Sequence, residues 1–140
     1  MPDRNFSLRL NCTYEGVDNN VDDLIIEVLN DGAWEILDLS TRSPGFQLFI
    51  NGLFSCQHLY MRINSAERNI VLGSTSAEFD VVADETWHIK DVKVTFNANL
   101  KSGSPTQDDI DYIKERMQHC PVSSNLPESI QLEKTVIFHG

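Results

Sequence analysis

Basic side chains are scarce in this 140-residue chain. Eleven lysines and arginines stand against 21 aspartates and glutamates, and the formal net charge is −10 at pH 7. A surface with this excess of acid repels phosphate backbones, and no local cluster of lysine and arginine offsets the repulsion. We therefore expect no nucleic-acid partner.

Long apolar runs are also missing. No stretch approaches the roughly 18 uninterrupted apolar residues of a membrane-spanning helix. The N-terminal sequence MPDRNFSLRLNC has no apolar core of signal-peptide length. We expect no membrane partner and a cytoplasmic location.

Cysteine is rare and odd in number, with Cys12, Cys56 and Cys120 in the whole chain. Three cysteines cannot form a closed disulfide framework, and cytoplasmic thiols are normally kept reduced. Neither C-x-x-C pairs nor H-x-x-x-H spacings occur, although both are typical of zinc sites. The sequence therefore favours thiol chemistry, and we expect no metal and no other cofactor.

Alternation of apolar and polar residues predicts most of the strands. Along residues 6–14 every second side chain is apolar, which is typical of a strand with one buried face. Asn30-Asp31-Gly32 separates two runs rich in Ile, Leu and Val and tolerates positive φ, which predicts a hairpin. The predicted strands are residues 6–14, 24–29, 33–39, 70–72 joined to 78–83 as one strand bent at Gly73 and Ser74, 89–100 and 130–138.

Two segments have helical periodicity instead. Residues 43–63 are apolar on most of the helix circumference, which predicts a central, buried helix with Ser43 as N-cap and Pro44 in first position. Residues 104–119 form the second predicted helix, with Ser104 and Pro105 in the same two positions. No repeat or long linker divides the chain, so residues 1–140 are predicted to form one α+β domain.

The three cysteines differ in what surrounds them. Cys12 lies on the apolar side of a predicted strand, where core packing is the usual role of a free cysteine. Cys120 precedes Pro121, which cannot donate a backbone hydrogen bond, so the chain must bend at the thiol. If residues 122–125 begin a further turn, free N–H groups could face Cys120 and stabilise a thiolate.

Two motifs resemble those of the OsmC/Ohr family of osmotically inducible and organic hydroperoxide resistance proteins. Cys120-Pro121-Val122-Ser123, after an amphipathic helix and before a last strand, is similar to the second-cysteine motif of the family. Residues 47–56, QLFINGLFSC, are similar to its first-cysteine helix. The resemblance implies an OsmC-like fold, with an antiparallel sheet wrapped around two helices, in an intertwined homodimer whose active sites lie at the subunit interface.

The resemblance also implies a thiol-dependent peroxidase that reduces organic hydroperoxides in oxidative-stress defence. By the matched motifs Cys56 would attack the peroxide and become a sulfenic acid, and Cys120 would resolve it to a disulfide that an external dithiol reduces. The residues assigned to an apolar substrate pocket are Phe46, Gln47, Phe49, Leu53 and Met117.

The sequence departs from the family at the residues that activate the first thiol. The family has a glutamate ten residues before the first cysteine, where this chain has Phe46, and the loop that carries the family's arginine has no basic residue here. Arg9 and Arg42 are the candidates to replace that cation, without which the Cys56 pKa stays near or above about 8.5.

Because the family's glutamate and arginine are missing, a second hypothesis stays open. The protein would then be a non-catalytic member of the fold that binds an apolar or thiol-containing small molecule. His58 and His119 lie close to the cysteines in sequence. Because residues two apart on a helix do not face one another, we expect both histidines on the surface.

Overall fold

The computed structural model describes residues 2–140, which form one six-stranded sheet with two helices against one of its faces. The strands follow the order β3-β2-β1-β4-β5-β6 across the sheet. The elements in chain order are β1 Arg4–Glu15, β2 Asn20–Asn30, β3 Ala33–Ile36, α1 Gly45–Glu67, β4 Val71–Ala83, β5 Ile89–Ser102, α2 Gln107–Gln118, a 3-10 turn Ser123–Asn125 and β6 Gln131–His139.

The predicted α+β class is confirmed, and the sheet is mixed where a purely antiparallel one was predicted. Strands β1 to β5 pair antiparallel with their neighbours, but β6 runs parallel to β5. A parallel pair needs a long crossover between its strands. Here α2 and the 3-10 turn form that crossover, so the parallel pairing determines where the segment around Cys120 lies.

Two local predictions about the strands differ in outcome. The β2–β3 hairpin turns at Asp31 and Gly32 with φ of 50° and 81°, as the turn residues predicted. The predicted break at Gly73 is instead a register irregularity within a continuous β4. An extra residue in a strand bends it without ending the pairing.

Both helices begin later than predicted. The N-cap of α1 is Pro44, without a side-chain cap, and the N-cap of α2 is Thr106. Thr106 accepts a hydrogen bond from the Asp109 N–H, and the Asp109 carboxylate accepts one from the Thr106 N–H. This reciprocal capping box satisfies two N–H groups that would otherwise have no partner, which explains why Thr106 takes the cap and Ser104 does not.

One face of α1 packs on the sheet. Phe54 is fully buried and stacks on Phe79 of β4, with ring centroids 4.8 Å apart. The other side of α1 leaves apolar side chains exposed, among them Leu48, Phe49 and Leu59. The predicted central helix is therefore buried on its sheet-facing side within one chain. Neither helix of residues 2–140 combines the length and hydropathy of a membrane span.

Candidate active site

The fold brings Cys56 and Cys120 together, although 64 positions separate them in sequence. Cys56 lies in the middle of α1 and is partly exposed, whereas Cys120 lies just beyond the end of α2 and is fully buried. The two thiols are close enough for each to shift the pKa of the other. Neither forms a disulfide in this structure.

The chain turn after α2 surrounds the Cys120 sulfur with donors. α2 ends at Gln118, and Pro121 leads into the 3-10 turn that begins at Ser123. The backbone N–H of Ser123 donates to Cys120 Sγ at 3.2 Å, and the Ser123 Oγ lies 2.9 Å from the same sulfur. The turn predicted after Pro121 therefore forms and places a free N–H against the thiol.

Gln57 supplies a further donor that sequence reasoning missed. Its side chain is fully buried, and Nε2 donates to the Met117 carbonyl at 2.8 Å and to Cys120 Sγ at 3.3 Å. Gln57 Oε1 has no hydrogen-bond partner among the described residues. A sequence signal existed, because Gln57 falls four and seven residues after Leu53 and Ile50 and so shares their core-facing side of α1.

The two thiols have opposite pKa shifts. Burial and the contact with Cys120 raise the pKa of Cys56 to about 11, against the smaller lowering effect of the Val122 N–H. Burial also opposes the charged form of Cys120, but the neighbouring Cys56 thiol and hydrogen bonds from Ser123 and Gln57 outweigh it and leave its pKa below the ordinary cysteine value. The pair therefore favours negative charge on Cys120.

The candidate cations lie elsewhere in the chain. Arg9 is on the outer face of the sheet, where it pairs with Glu27 at 2.8 Å and stacks on Trp34. Arg42 is exposed in the loop before α1. Among residues 2–140, no lysine or arginine contributes to the shift in the Cys56 pKa. The expected replacement of the family's arginine is thus not found within one chain.

The predicted pocket residues are divided among three places. Leu53 and Met117 are fully buried in the core, and Phe49 is exposed on the same side of α1 as Cys56. Phe46 and Gln47 line an apolar cavity of about 230 Å³ at the start of α1, together with Phe6 and Trp87. At about 1.5 Å of rise per residue, Phe46 is about 15 Å along α1 from Cys56. One chain therefore does not unite these side chains around its own thiol.

The remaining predictions concern Cys12 and two histidines. Cys12 is buried in the core as predicted, and His119 is exposed and pairs with Glu115. His58 contradicts its predicted surface position, because its ring is buried and Nε2 lies 2.6 Å from the Tyr14 hydroxyl. Burial and the nearby Arg62 charge lower the His58 pKa to about 4, so the ring is neutral at pH 7.

Together the fold and the thiol pair define a class of α+β protein. In it, a cysteine in the first helix lies near a second cysteine on the crossover between β5 and β6. A family model described as OsmC-like protein matches residues 43–134, a segment that contains both cysteines and both helices. The chain belongs to the OsmC-like family.

Solved structures are similar in fold to this chain. An OsmC-like protein from Mycoplasma pneumoniae aligns with a TM-score of 0.57 at 10% identity, covering 83% of this chain and 89% of the other. An OsmC-like hydroperoxide resistance protein from Jannaschia sp. CCS1 aligns with a TM-score of 0.56 at 18% identity, covering 87% and 86%. No curated protein matches the chain.

Proposed function

We propose that this protein is a thiol-dependent peroxidase that reduces organic hydroperoxides through Cys56 and Cys120. The observation that carries the proposal is that the fold brings two free thiols near one another, one partly exposed and one buried, so that each shifts the pKa of the other. A sulfenic acid formed on one member of such a pair has a second thiol at hand, which protects it from further oxidation. Membership in the OsmC-like family and the hydroperoxide resistance named for the Jannaschia structure support the same chemistry.

The exposure of the two thiols assigns their roles in this proposal. Cys56 is the member that a substrate can reach, so it attacks the O–O bond and becomes the sulfenic acid while an alcohol leaves. Cys120 then attacks the oxidised Cys56 sulfur and forms the disulfide. An external dithiol in a reducing cytoplasm restores both thiols. The apolar side chain of Phe49, on the same side of α1 as Cys56, favours a hydroperoxide with an apolar group.

The test is the reaction of the reduced protein with cumene hydroperoxide. We expect two thiols to be lost per chain and one disulfide to link the peptides that carry Cys56 and Cys120. Cys12 should remain a free thiol when it is labelled after denaturation, because it is buried in the core. Cys56→Ser should abolish hydroperoxide consumption, and Cys12→Ser is the matched control that should retain it. Loss of one thiol, or a disulfide that includes Cys12, would contradict the two-cysteine mechanism.

A second candidate function is binding of an apolar small molecule without catalysis. The observation that favours it is the cavity of about 230 Å³ in which the Phe46 ring replaces the family's glutamate and lies 4.9 Å from Phe6 and 5.2 Å from Trp87, ring centroid to centroid. If binding is the function, the reduced protein leaves cumene hydroperoxide intact. An apolar ligand should then change the fluorescence of Trp87, which is half exposed at the cavity.

The proposal includes a homodimer, supported by apolar side chains that one chain leaves uncovered. They lie on the outward side of α1 and on the helix side of β2: Leu48, Phe49, Leu59 and Leu24. Exposed apolar side chains grouped on one side of a helix are typical of an interface. A partner on this side of α1 would lie beside Cys56 and contribute its own residues to the edge of the site.

A further inference from the structure

The donors in the thiol site are distributed unequally between the two sulfurs. Cys120 Sγ has the Ser123 hydroxyl at 2.9 Å, the Ser123 N–H at 3.2 Å and the Gln57 amide at 3.3 Å. Gln57 and Ser123 are 0% and 5% exposed, so water does not compete for these bonds. For Cys56, the Val122 N–H lowers the pKa less than burial raises it. A negative charge is therefore better stabilised on Cys120 than on Cys56.

We propose that Cys120 is the resting thiolate of the pair and accepts the proton of Cys56 when Cys56 attacks the hydroperoxide. This inference rests on the proposed function and adds to it a general base, with Gln57 and Ser123 as positioning residues. It also explains how Cys56 is activated in a chain that has Phe46 in place of the family's glutamate. The lowered pKa of Cys120 and the raised pKa of Cys56 both place the charge on Cys120, as the donors do.

The step balances in atoms and electrons. Cys56 Sγ bonds to the terminal peroxide oxygen, its proton passes to Cys120 Sγ, and the O–O bond breaks. The departing alkoxide takes that proton from Cys120 and leaves as the alcohol. Cys56 is oxidised by two electrons to the sulfenic acid, the hydroperoxide is reduced by two, and Cys120 is a thiolate again.

The same thiolate then carries out the resolving step. It attacks the Cys56 sulfur, and the disulfide forms as hydroxide leaves and takes a proton from the solvent. The external dithiol later reduces this disulfide with two electrons. Because Cys120 is already deprotonated, resolution requires no separate base.

Several titratable or charged groups on the elements around the pair have partners of their own, and Cys56 is a titratable group that shifts the Cys120 pKa. The observed pairs are His119 with Glu115 on α2, Lys134 of β6 with Gln118, and Arg62 of α1 with the Asn19 carbonyl, while His58 is bonded to Tyr14.

The first test measures where the charge lies, from the ultraviolet absorbance of thiolate against pH in the reduced protein. Wild type should show one thiolate that titrates below the ordinary value of about 8.5. Cys56→Ser should retain this titration, because the Ser123 and Gln57 donors to Cys120 remain, and Cys120→Ser should lose it. A low titration that persists in Cys120→Ser and disappears in Cys56→Ser would overturn the inference.

Variants of the donors test the positioning residues by the same titration. Ser123→Ala and Gln57→Leu should each raise the pKa of Cys120, whereas Ser123→Thr, which keeps the hydroxyl, should restore it. Far-ultraviolet circular dichroism identifies any variant that fails to fold. Unchanged titration in folded Ser123→Ala and Gln57→Leu would contradict the assignment of these donors.

The second test measures the proton transfer in a single turnover with cumene hydroperoxide. At pH 7 the first-turnover rate of Cys120→Ser should fall about 100-fold below wild type, the usual size of a general-base contribution, and recover as the pH rises. Cys12→Ser should match wild type. Equal rates in Cys120→Ser and wild type would overturn the inference. A wild type that consumes no hydroperoxide would instead refute the proposed function, and the thiolate titration would still decide where the charge lies.

Discussion

The face of a helix or strand on which a residue lies decides its burial and its partners in this protein. Gln57 and His58 follow Cys56 on α1, and both are polar side chains that point into the core. Buried polar groups are costly unless they find partners, and the Gln57 amide nitrogen and the His58 ring have theirs at Cys120 and at Tyr14. The two positions next to Cys56 therefore connect α1 to the crossover on one side and to β1 on the other.

The buried histidine makes stability depend on pH. The pKa of His58 is about 4 in the fold and about 6.5 in the unfolded chain, so below pH 6.5 the unfolded chain binds a proton that the folded one refuses. The contribution of neutral His58 to the free energy of unfolding is complete above pH 6.5 and is lost as the pH falls towards 4. It amounts to at most about 3 kcal/mol.

Urea unfolding of wild type and His58→Gln between pH 4 and 7 measures this contribution. The free energy of unfolding of wild type should fall more steeply with decreasing pH than that of the variant, which has no titrating ring. The carboxylates titrate in both proteins and cancel in the comparison. If the free energies of unfolding of wild type and variant fell equally with pH, burial would not lower the pKa of His58.

At the scale of elements, α2 determines where Cys120 lies. Its C-terminal end delivers the Met117 carbonyl to Gln57, and the bend at Pro121 turns the chain back on the thiol. Its N-terminal end is fixed by the capping box of Thr106 and Asp109. Displacement of α2 would therefore loosen the donors around Cys120 as well as the core around Ile113.

Removal of the α2 cap should cost stability. Thr106→Ala deletes the oxygen that accepts the Asp109 N–H bond, and we expect the free energy of unfolding to fall by about 1 kcal/mol. Thr106→Ser keeps the oxygen and is the matched control, so its urea midpoint should lie near that of wild type. An alanine variant as stable as the serine variant would mean that the cap does not stabilise α2.

At the scale of the whole molecule, the two sides of the sheet differ in character. The outer face carries a polar depression that includes Arg9, Glu78, Asp80 and Lys93. The helical side ends in the exposed apolar stripe of α1, which includes Phe49. A second copy of the chain against α1 would bury this stripe and leave the polar depression of the outer face in water, consistent with the proposed homodimer.

Charge on the α1 stripe should separate the proposed dimer. Phe49 and Leu59 are 44% and 38% exposed in one chain, so glutamate there is tolerated by the monomer but buried in the dimer. We expect Phe49→Glu and Leu59→Glu each to raise the dissociation constant at least about 100-fold in sedimentation equilibrium. Ile137→Glu places the same charge on the outer face of the sheet and should remain dimeric. A wild type that sediments as a monomer at micromolar concentration would refute the dimer.

The sequence by itself determined the local structure and the chemistry available to it. Alternation located β1, the Asn30-Asp31-Gly32 turn located the hairpin, and apolar spacing located both helices, because each signal lies within one or two turns of chain. The family motifs identified both cysteines. The helix starts were misplaced because Ser43-Pro44 and Ser104-Pro105 each have the residue types of an N-cap and first helical position. Only hydrogen bonds formed in the fold select Thr106 as the cap of α2.

Tertiary structure decided the rest, since it depends on contacts between distant segments. The parallel pairing of β6 carries Cys120 to Cys56, and no periodicity in either segment encodes that approach. The same fold places Arg9 on the outer face of the sheet and directs Gln57 to the Cys120 sulfur. A thiol pKa depends on burial and on donors within a few ångströms, so the residue that bears the charge is settled by packing and not by the order of residues along the chain.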